Sequence, residues 1–300
     1  MSLSTPDLSV LITSKDNAGK LESLISSLRS QTGPSMEIVL VDDGSMPPHK
    51  GFAVDKLVRH ENSLGYVKSR NELARLAHGR YLLFVDDDVV FPTQDFVAKS
   101  LKVIESHPDC GVMAFGQMIP GLGDNCLQPS PATHCCYVST YFGWTHLFRA
   151  EAWHKSGGVC ELFDYGYEET EHSIRLLDSG VRILYDPDLK VIHNCASASK
   201  VPDLRRNQIQ RNAFLAGFML SRWITLHRTI LSSLSCIYRG NRSAGMSRMR
   251  SISWCVWAVA GVVSKLTALW RLHKPVSHET FRLASRLNQA PFHAPPNYPV

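Results

Sequence analysis

Short apolar runs rich in β-branched residues alternate with amphipathic segments in the first part of the chain, and this alternation restricts the fold more than any other feature. Strands are predicted at Leu8 to Thr13, Glu37 to Val41, Lys56 to Arg59, Tyr81 to Val85 and Gly111 to Phe115. Apolar residues at three- and four-residue intervals predict helices at Ala18 to Arg29, Tyr66 to Ala77 and Gln94 to Glu105. Helices connecting successive strands indicate an α/β fold around a mostly parallel sheet.

The pattern changes twice further along the chain. After a Pro- and Gly-dense loop at residues 120–131, we predict a strand at 134–141, helices at 150–155 and 169–178, and strands at 181–185 and 190–193. Helices are then predicted at 204–232 and 247–272, with a Gly- and Ser-containing link at 239–245. We therefore divide the chain into an α/β body at 1–200 (halves 1–115 and 116–200), a helical extension at 201–285 and a proline-rich, extended tail at 286–300.

The net charge of +5 conceals two oppositely charged parts. Residues 1–200 contain 18 Lys and Arg against 25 Asp and Glu, a net charge of −7, whereas residues 201–300 contain 14 against 2, a net charge of +12. Tryptophans in the basic part, Trp223, Trp254, Trp257 and Trp270, suit a surface that meets anionic lipid headgroups or phosphates. The alternative is a helical extension that packs on the first part.

The segment from Ser251 to Trp270 is the most apolar of the extension. Its uninterrupted stretch, Trp254 to Val263, is shorter than the ~20 residues that cross a bilayer, so we predict no membrane span. An interfacial helix and a buried packing helix are the remaining interpretations, and the buried helix is favoured.

The first residues lack the basic start and long apolar stretch of a secretory signal, which predicts a cytoplasmic protein, with peripheral contact at the inner face of the membrane as the alternative location. The cysteines form no CxxC pair and are predicted to be reduced core thiols. They are Cys110, Cys126, Cys135, Cys136, Cys160, Cys195, Cys236 and Cys255.

Polar side chains follow several predicted strands at the edge where ligands collect in open α/β sheets. They are Thr13, Ser14, Lys15 and Asp16 after the first strand, Asp42, Asp43, Gly44 and Ser45 after the second, and Asp86, Asp87 and Asp88 after the strand at Tyr81. A helix cap or a solvated turn would explain Asp42 and Asp43 equally well.

The aspartate triplet is harder to explain structurally, because adjacent carboxylates repel one another unless positive charge lies among them. Mg²⁺ or Mn²⁺ prefers carboxylate oxygens and can bridge substrate phosphates, neutralising charge on a departing diphosphate. Side-chain alternation in an extended segment would place Asp86 and Asp88 on one side and Asp87 on the other. The sequence therefore predicts a metal site at Asp86 and Asp88, with Asp88 the stronger ligand candidate.

The chain resembles family 2 glycosyltransferases over about residues 8–195. The resemblance rests on the ordered motifs LSVLITSKDN, EIVLVDDGS, NSLGYVKSRN, YLLFVDDDV, SGGVCELFDYGYEETEHSIRLLDSG and VIH. It implies a GT-A fold, a Rossmann-like mixed sheet flanked by helices, with a donor half at 1–115 and an acceptor half at 116–200. It also implies an inverting, hexosyltransferase-type enzyme that transfers sugar from a UDP- or dTDP-linked donor to a hydroxyl of a glycan, a lipid-linked intermediate or a small molecule.

The resemblance also assigns residues to the donor and the cation. Asp86 and Asp88 match the family's DxD positions, and His193 matches a histidine that completes the metal site, although a packed histidine is the alternative. Arg70 belongs to a Gly-x-x-x-x-Arg-Asn stretch near the donor, although a structural ion pair is equally compatible. Arg211 matches the Arg-Asn stretch of rhamnosyltransferase-like members, which lies over the diphosphate. The full donor set is Thr13, Asp16, Asp42, Asp43, Gly65, Arg70, Asn71, Asp86, Asp87 and Arg211, with Asp16 and Asp42 at the base.

Displacement at the anomeric carbon also needs a base that takes the proton of the acceptor hydroxyl. Where the family has an acidic pair at the start of a helix, this chain has Glu168 and Glu169, with glutamate in place of the usual aspartate at the second position. We predict Glu169 as the base and Glu168 as the next candidate; acidic residues also stabilise a helix N-terminus, which is the structural alternative. Trp144, Gly158 and Glu171 are predicted on the acceptor side.

Two other functions remain open. A nucleotidyltransferase would also use aspartates and a divalent cation, but it needs a basic, Gly-rich loop after the first strand, of which SKDNAGK is a faint version. A nucleic-acid-binding protein would use the basic C-terminal part, but no binding module is recognised and the acidic first part opposes it, so no nucleic-acid partner is predicted.

Overall fold

The strands predicted in the first half lie in one mixed sheet. The computed structural model describes residues 5–121, 123–125, 134–194, 203–222, 226–289 and 292–293. Its first strands pair in parallel: β1 (Leu8–Ser14) lies between β2 (Met36–Asp42) and β4 (Tyr81–Asp86), and β3 (Lys56–Arg59) lies beside β2. The predicted strands and helices of this half are confirmed as β1 (Leu8–Ser14), α1 (Ala18–Arg29), β2 (Met36–Asp42), β3 (Lys56–Arg59), α2 (Tyr66–Leu76), β4 (Tyr81–Asp86), α3 (Phe96–Glu105) and β6 (Cys110–Ile119), with a short β5 (Val89–Val90) before α3.

The second half completes the sheet with antiparallel strands. The elements of this half are β7 (Gly123–Asn125), β8 (Cys136–Tyr137), β9 (Thr145–Arg149), α4 (Ala150–Ser156), α5 (Glu168–Asp178), β10 (Arg182–His193) and β11 (Phe292–His293). The strand order is β11-β8-β10-β6-β9-β4-β1-β2-β3, and β9 lies antiparallel between β4 and β6.

The strand predictions in the second half are confirmed only in part. The predicted strand at 134–141 is limited to β8, and β9 was missed because a five-residue strand is hard to separate from a loop by its pattern. The strands predicted at 181–185 and 190–193 are one strand, β10, whose register shifts between Asp186 and Lys190. The loop predicted at 120–131 contains β7, while residues 122 and 126–131 lie outside the described residues.

The core has a layer on each face of the sheet. Successive side chains of a strand point to opposite faces, so Val10 and Ile12 of β1 pack with α1 and α3, whereas Leu11 packs in the layer of α2 and α5. Strands buried on both faces read as continuous apolar runs, which is why the sequence predicts them well.

The C-terminal part is built from helices around a third apolar cluster. They are α6 (Asp203–Leu220), α7 (Leu226–Ser243), α8 (Arg248–Val263), α9 (Leu266–Leu272) and α10 (His278–Gln289). The link predicted at 239–245 is wrong, because α7 continues to Ser243. The helix predicted at 204–232 is divided after Leu220, and Trp223 lies outside the described residues. The predicted tail begins inside α10, and β11 then pairs with β8.

Two further predictions concern side chains and membrane spans. Cys110 and Cys136 are buried as predicted, but Cys236 is exposed, so the prediction of a core thiol is wrong there; Cys126 and Cys195 lie outside the described residues. No single helix among the described residues is long and apolar enough to cross a membrane. Within the described part of the chain, α8 and α9 together are long and apolar enough, and they are bent by 64° with respect to each other.

Candidate active site

The strand ends bring three predicted metal ligands together. Asp86 ends β4, next to Thr13 of β1, and its backbone N–H donates to the Trp144 carbonyl at 2.8 Å. The antiparallel pair of β5 and β10 places His193 opposite Val89, which brings its ring beside Asp88. One ligand atom each of Asp86, Asp88 and His193 lies within 4.8 Å of the others. This group, called the acidic cluster below, is compact enough for one cation.

The surroundings of His193 suit a metal ligand. Its Nδ1 lies 2.7 Å from Gln117 Oε1 and its Nε2 lies 3.1 Å from Asp88 Oδ1. An amide oxygen can only accept, so Nδ1 carries the proton, and metal-binding histidines are commonly oriented in this way by a partner on the second nitrogen. Burial alone would raise the pKa of Asp88, but the neighbouring His193 and Lys20 side chains hold it below its ordinary value. Asp88 therefore stays ionised.

Asp87 points away from the acidic cluster, as the side-chain alternation predicts. Its two oxygens accept hydrogen bonds from Ser14 Oγ at 2.6 Å and Asn17 Nδ2 at 2.7 Å. Burial raises its pKa, although these two donors oppose the rise. Asp87 thus fastens the β1–α1 connection to the end of β4, which supports its interpretation as a neighbour of the site.

Asp42 is used inside the turn that follows β2. It is fully buried and accepts hydrogen bonds from the backbone N–H groups of Ser45 at 2.8 Å and His49 at 3.0 Å, and from the Arg59 guanidinium. Burial would raise its pKa, but these donors lower it to about 2. This environment favours the turn alternative over direct contact with a nucleotide base.

Asp43 organises the loop that leads to α2. Its carboxylate accepts hydrogen bonds from the backbone N–H groups of Leu64 at 2.8 Å and Gly65 at 3.0 Å, from Ser63 Oγ at 2.6 Å, and contacts His60 Nδ1 at 2.7 Å. Gly65 has φ 88, a conformation that glycine adopts readily, and directly precedes α2. Asp43 and Gly65 therefore orient the helix that carries Arg70.

Asp16 lies at the opening of a cavity of about 250 Å³. It has φ 53, and its Oδ1 accepts a hydrogen bond from the Met46 backbone N–H at 2.7 Å. Met46, His49 and Phe52 contribute to the cavity wall, which gives it flat or apolar surfaces beside a carboxylate. Of the predicted base contacts, Asp16 is therefore the better placed for a planar ring.

Arg70 links the acidic cluster to the predicted base. Its guanidinium is buried and lies 3.1 Å from Asp86 Oδ1 through one nitrogen and 3.3 Å from Glu169 Oε1 through the other. It also donates to the Gly143 carbonyl at 2.7 Å and lies over the Tyr66 ring at 4.8 Å. Arg70 therefore has ion-pair partners, as the structural alternative predicts, and it lies between the acidic cluster and Glu169.

Glu168 and Glu169 differ in accessibility. Glu168 is fully buried and accepts a hydrogen bond from the Tyr66 hydroxyl, and its Oε2 has no hydrogen-bond partner among the described residues. The Glu169 side chain keeps 17% exposure. Burial, and then the neighbouring Glu168 carboxylate, raise the pKa of Glu169 to about 8, although Arg70 opposes the rise. Such a carboxylate can accept a proton near neutral pH, as a general base must.

The backbone approaches Glu169 closely at Gly143. A β-carbon at this position would collide with Glu169 Oε1 and would lie 3.2 Å from the Arg70 guanidinium nitrogens. The absence of a β-carbon thus lets the turn formed by Gly143 and Trp144 pass directly over the carboxylate.

The predicted acceptor residues lie in two places. Trp144 stacks on Phe142 with ring centroids 4.6 Å apart and lies 6.2 Å from the His193 ring, beside the acidic cluster. Its Nε1 is buried with no hydrogen-bond partner in the described part of the chain. Gly158 and Glu171 instead line a separate cavity of about 510 Å³.

Glu171, Arg175 and Asn71 in the wall of that cavity are hydrogen-bonded to other groups of the protein. Glu171 is fully buried and accepts two hydrogen bonds from Arg175, at 2.6 and 2.9 Å. Asn71 exchanges hydrogen bonds with the Val159 backbone at 2.9 and 3.1 Å. Asn71 therefore holds the loop that contains Gly158, whose φ of 72 suits glycine.

Arg211 and Asn212 of α6 hold the loop that leads into α5. Arg211 pairs with Asp164 at 2.5 Å and lies 4.6 Å over the Trp257 ring. Asn212 is fully buried, and its Nδ2 donates to the carbonyls of Tyr165 at 3.0 Å and Gly166 at 2.9 Å. The predicted contact of Arg211 with a diphosphate stays a prediction, and in this structure its ion-pair partner, Asp164, is on the loop before Glu168.

Sequence reasoning missed several residues around this site. Tyr66 was missed, although it precedes the predicted Arg70 by four residues on α2, a spacing that places the two side chains on one face of the helix. Gln117 is a polar residue in an otherwise apolar strand, which is also a usable signal. Lys20 and Gly143 come from distant parts of the chain, and local pattern carries no signal for them.

Comparison with known proteins relates the chain to glycosyltransferases. Residues 9–156 match the model of the family described as Glycosyl transferase family 2. The chain is 25% identical over 230 residues to the O-antigen biosynthesis protein RfbC of Myxococcus xanthus, covering 66% of this chain and 18% of RfbC. It is 26% identical over 233 residues to the pre-mycofactocin glycosyltransferase of Mycobacterium tuberculosis, covering 70% and 46%. The chain thus spans less than half the length of these relatives.

The solved structures share the fold at low sequence identity. The mannosyltransferase PcManGT from Pyrobaculum calidifontis, in complex with GDP-Man and Mn²⁺, superposes with a TM-score of 0.57 at 16% identity, covering 95% of this chain and 84% of PcManGT. S. aureus TarS 1–349 in complex with UDP-GlcNAc gives a TM-score of 0.56 at 16% identity, covering 94% and 89%. With its mixed sheet, its flanking helices and the family model that matches residues 9–156, the chain contains a family 2 glycosyltransferase domain with the GT-A fold.

Proposed function

We propose that the chain is an inverting glycosyltransferase that moves a sugar from a UDP- or dTDP-linked donor to a hydroxyl acceptor. The observation that carries the proposal is the position of Arg70, whose guanidinium lies 3.1 Å from Asp86 of the acidic cluster and 3.3 Å from Glu169. The acidic cluster, which would meet the leaving diphosphate, and Glu169, which would take the acceptor proton, thus lie on two sides of the Arg70 guanidinium. Displacement with inversion needs such opposed groups around the anomeric carbon.

In this proposal, the acceptor oxygen forms a bond to the anomeric carbon as the bond from that carbon to the diphosphate oxygen breaks. The acceptor proton goes to Glu169, and the electron pair of the broken bond leaves with the nucleoside diphosphate. Arg70 keeps the Glu169 carboxylate oriented and contributes positive charge near the departing phosphates. Burial, and then the neighbouring Glu168 carboxylate that Tyr66 holds, keep the pKa of Glu169 high enough for proton transfer.

Asp86, Asp88 and His193 would hold the cation, Mn²⁺ or Mg²⁺. Two carboxylates and an imidazole with an oriented second nitrogen suit either ion. When bound, the ion neutralises negative charge on the leaving diphosphate. PcManGT is in complex with Mn²⁺ and GDP-Man, which supports the use of a divalent ion and a nucleotide sugar by this fold.

The donor base would occupy the cavity beside Asp16, and the acceptor would approach Glu169 past Trp144. The indole N–H of Trp144 is a buried donor that a sugar hydroxyl could satisfy, and its ring offers a stacking face. The acceptor class is a glycan, a lipid-linked sugar or a small molecule. The predicted cytoplasmic location belongs to the same proposal, whereas the predicted peripheral membrane contact depends on a separate surface of the C-terminal helices.

The test is a panel of nucleotide sugars incubated with Mn²⁺ or Mg²⁺ and scored for thermal stabilisation and for donor hydrolysis. We expect one donor to raise the unfolding temperature only with the cation present, and to release nucleoside diphosphate and free sugar. Production of pyrophosphate would instead indicate a nucleotidyltransferase. The anomeric configuration of the transferred product, measured by NMR, tests inversion directly.

A further inference from the structure

The outer face of α8 carries a continuous stripe of exposed apolar side chains. Its members are Met249, Ile252, Val256, Val259 and Val263, with exposures from 39% to 78%. Their spacing of three and four residues keeps them on one side of the helix, within an arc of about 80° at the usual ~100° per residue. Soluble surfaces rarely expose so many aligned apolar residues without a partner.

Exposed apolar side chains are also present on the next helix, α9, which is bent by 64° from α8; they are Leu266, Trp270 and Leu272. Trp270 is 69% exposed. Tryptophan is the side chain most enriched at the boundary between lipid and water, because its ring is apolar and its N–H is polar. We call the exposed apolar residues of α8 and α9 together the apolar ridge.

The opposite face of the two helices is occupied. Ala258, Val262 and Leu269 are buried in the apolar cluster of the C-terminal helices. The 16 residues of α8 extend about 24 Å at ~1.5 Å per residue, less than the ~30 Å of a bilayer core. A helix packed on one face and too short to cross can only meet lipid by lying along its surface.

Charge around the apolar ridge is of one sign. Arg248, Arg250 and Arg271 are exposed at its ends, and no acidic residue occurs from Arg248 to Leu272. Exposed apolar side chains with arginines at the borders and no carboxylates are complementary to anionic headgroups above an acyl layer.

We propose that the apolar ridge is a membrane-docking surface, which binds in the plane of a bilayer that contains anionic lipid. The apolar side chains enter the boundary between headgroups and acyl chains, and the arginines contact lipid phosphates. This inference is independent of the proposed transferase activity, because it depends on the exposed face of α8 and α9 and on none of the residues of the acidic cluster.

The test is flotation of the full chain with vesicles of phosphatidylcholine and phosphatidylglycerol, compared with phosphatidylcholine alone. We expect the chain to float only with the anionic vesicles and less at high salt, because the headgroup attraction is screened. Absence of flotation with anionic vesicles, or equal flotation with both kinds, overturns the proposal.

A matched pair of variants localises the surface. Leu266 is 43% exposed on the apolar ridge and Leu57 is 42% exposed on β3, so Leu266→Asp and Leu57→Asp make the same change at the same exposure. We expect Leu266→Asp to weaken vesicle binding about tenfold or more and Leu57→Asp to leave it unchanged. Equal effects of the two variants, or undiminished flotation of Leu266→Asp, contradict the proposal.

The thermal unfolding midpoint of each variant shows whether it is folded. Replacing the arginines at the ends of the apolar ridge, Arg248→Ser with Arg271→Ser, should weaken vesicle binding about fivefold per arginine without a change in midpoint.

Sedimentation without lipid tests whether a second copy of the chain covers the apolar ridge. If the wild-type chain dimerises and Leu266→Asp makes it monomeric with flotation intact, the ridge is covered by a second copy and the membrane proposal is wrong.

Discussion

Replacement of Glu169 by glutamine is the sharpest perturbation of the proposed base. The amide has nearly the shape of the carboxylate but cannot take a proton at any relevant pH. Loss of general-base catalysis costs about 10²- to 10⁴-fold in rate, or roughly 3–5 kcal/mol of activation free energy. Arg70 loses its 3.3 Å charged partner but keeps Asp86 at 3.1 Å and the Gly143 carbonyl at 2.7 Å, so the acidic cluster should stay in place.

The assay is nucleoside diphosphate release with acceptor present, together with donor affinity from thermal stabilisation. We expect kcat to fall by the factor above in Glu169→Gln, with donor affinity changed by no more than about twofold. Glu151→Gln, an exposed glutamate in the first turn of α4, is the matched control and should behave as wild type. Wild-type turnover in Glu169→Gln would refute the assignment, and loss of donor binding would mean that the carboxylate is structural.

The pH dependence supplies a second measurement on the same variant. The base is active only when ionised, and its pKa is raised to about 8, so the wild-type rate should increase with pH up to about 8 and then level. The residual rate of Glu169→Gln should lack this rise. The sign for stability is opposite: a raised folded-state pKa favours the protonated form, so wild type loses stability as pH rises from about 4.5 towards 8. The unfolding temperature of Glu169→Gln should therefore exceed that of wild type at alkaline pH.

Three further predictions follow from other residues of the site. Asp88→Asn should raise the Mn²⁺ concentration needed for half-maximal donor hydrolysis by about 100-fold, and an unchanged requirement would exclude Asp88 as a ligand. Arg70→Lys keeps the charge but cannot reach Asp86 and Glu169 in the same forked geometry, so kcat/KM should fall about 30- to 100-fold; full activity would show that charge alone suffices. Asn212→Ala removes the bonds to the Tyr165 and Gly166 carbonyls and should lower kcat about tenfold with the pH midpoint and donor affinity unchanged, which steady-state kinetics across pH can show.

The parts of the molecule that the sequence predicts well are those where local pattern and burial agree. The apolar run from Tyr81 to Val85 is buried on both faces and ends in carboxylates at the ligand edge of the sheet, so its role could be predicted from a few consecutive residues. The same holds for α1 and α2, whose apolar spacing matches the face that packs on the sheet.

The parts that the sequence does not predict depend on long-range contacts. Arg70 and Glu169 are 99 positions apart, and nothing in either local segment states that they meet. Asp42 illustrates the same dependence: its motif predicts contact with the donor base, whereas in the folded chain its carboxylate accepts hydrogen bonds from the turn that follows β2. Motif position thus predicts which segments carry candidate site residues, but the partner of each side chain is known only from the folded chain.

The pairing of β11 with β8 has a consequence for synthesis of the chain. Until residues 292–293 leave the ribosome, the β8 edge of the sheet has exposed backbone hydrogen-bonding groups, and the site that buries Leu287 of α10 is open. Unpaired strand edges and uncovered apolar sites invite association between nascent chains. The last helix and strand, anchored to Asp178 through Ser277 and Thr280, therefore protect a sheet whose other strands are made long before them, and shortened chains should aggregate rather than form a smaller enzyme.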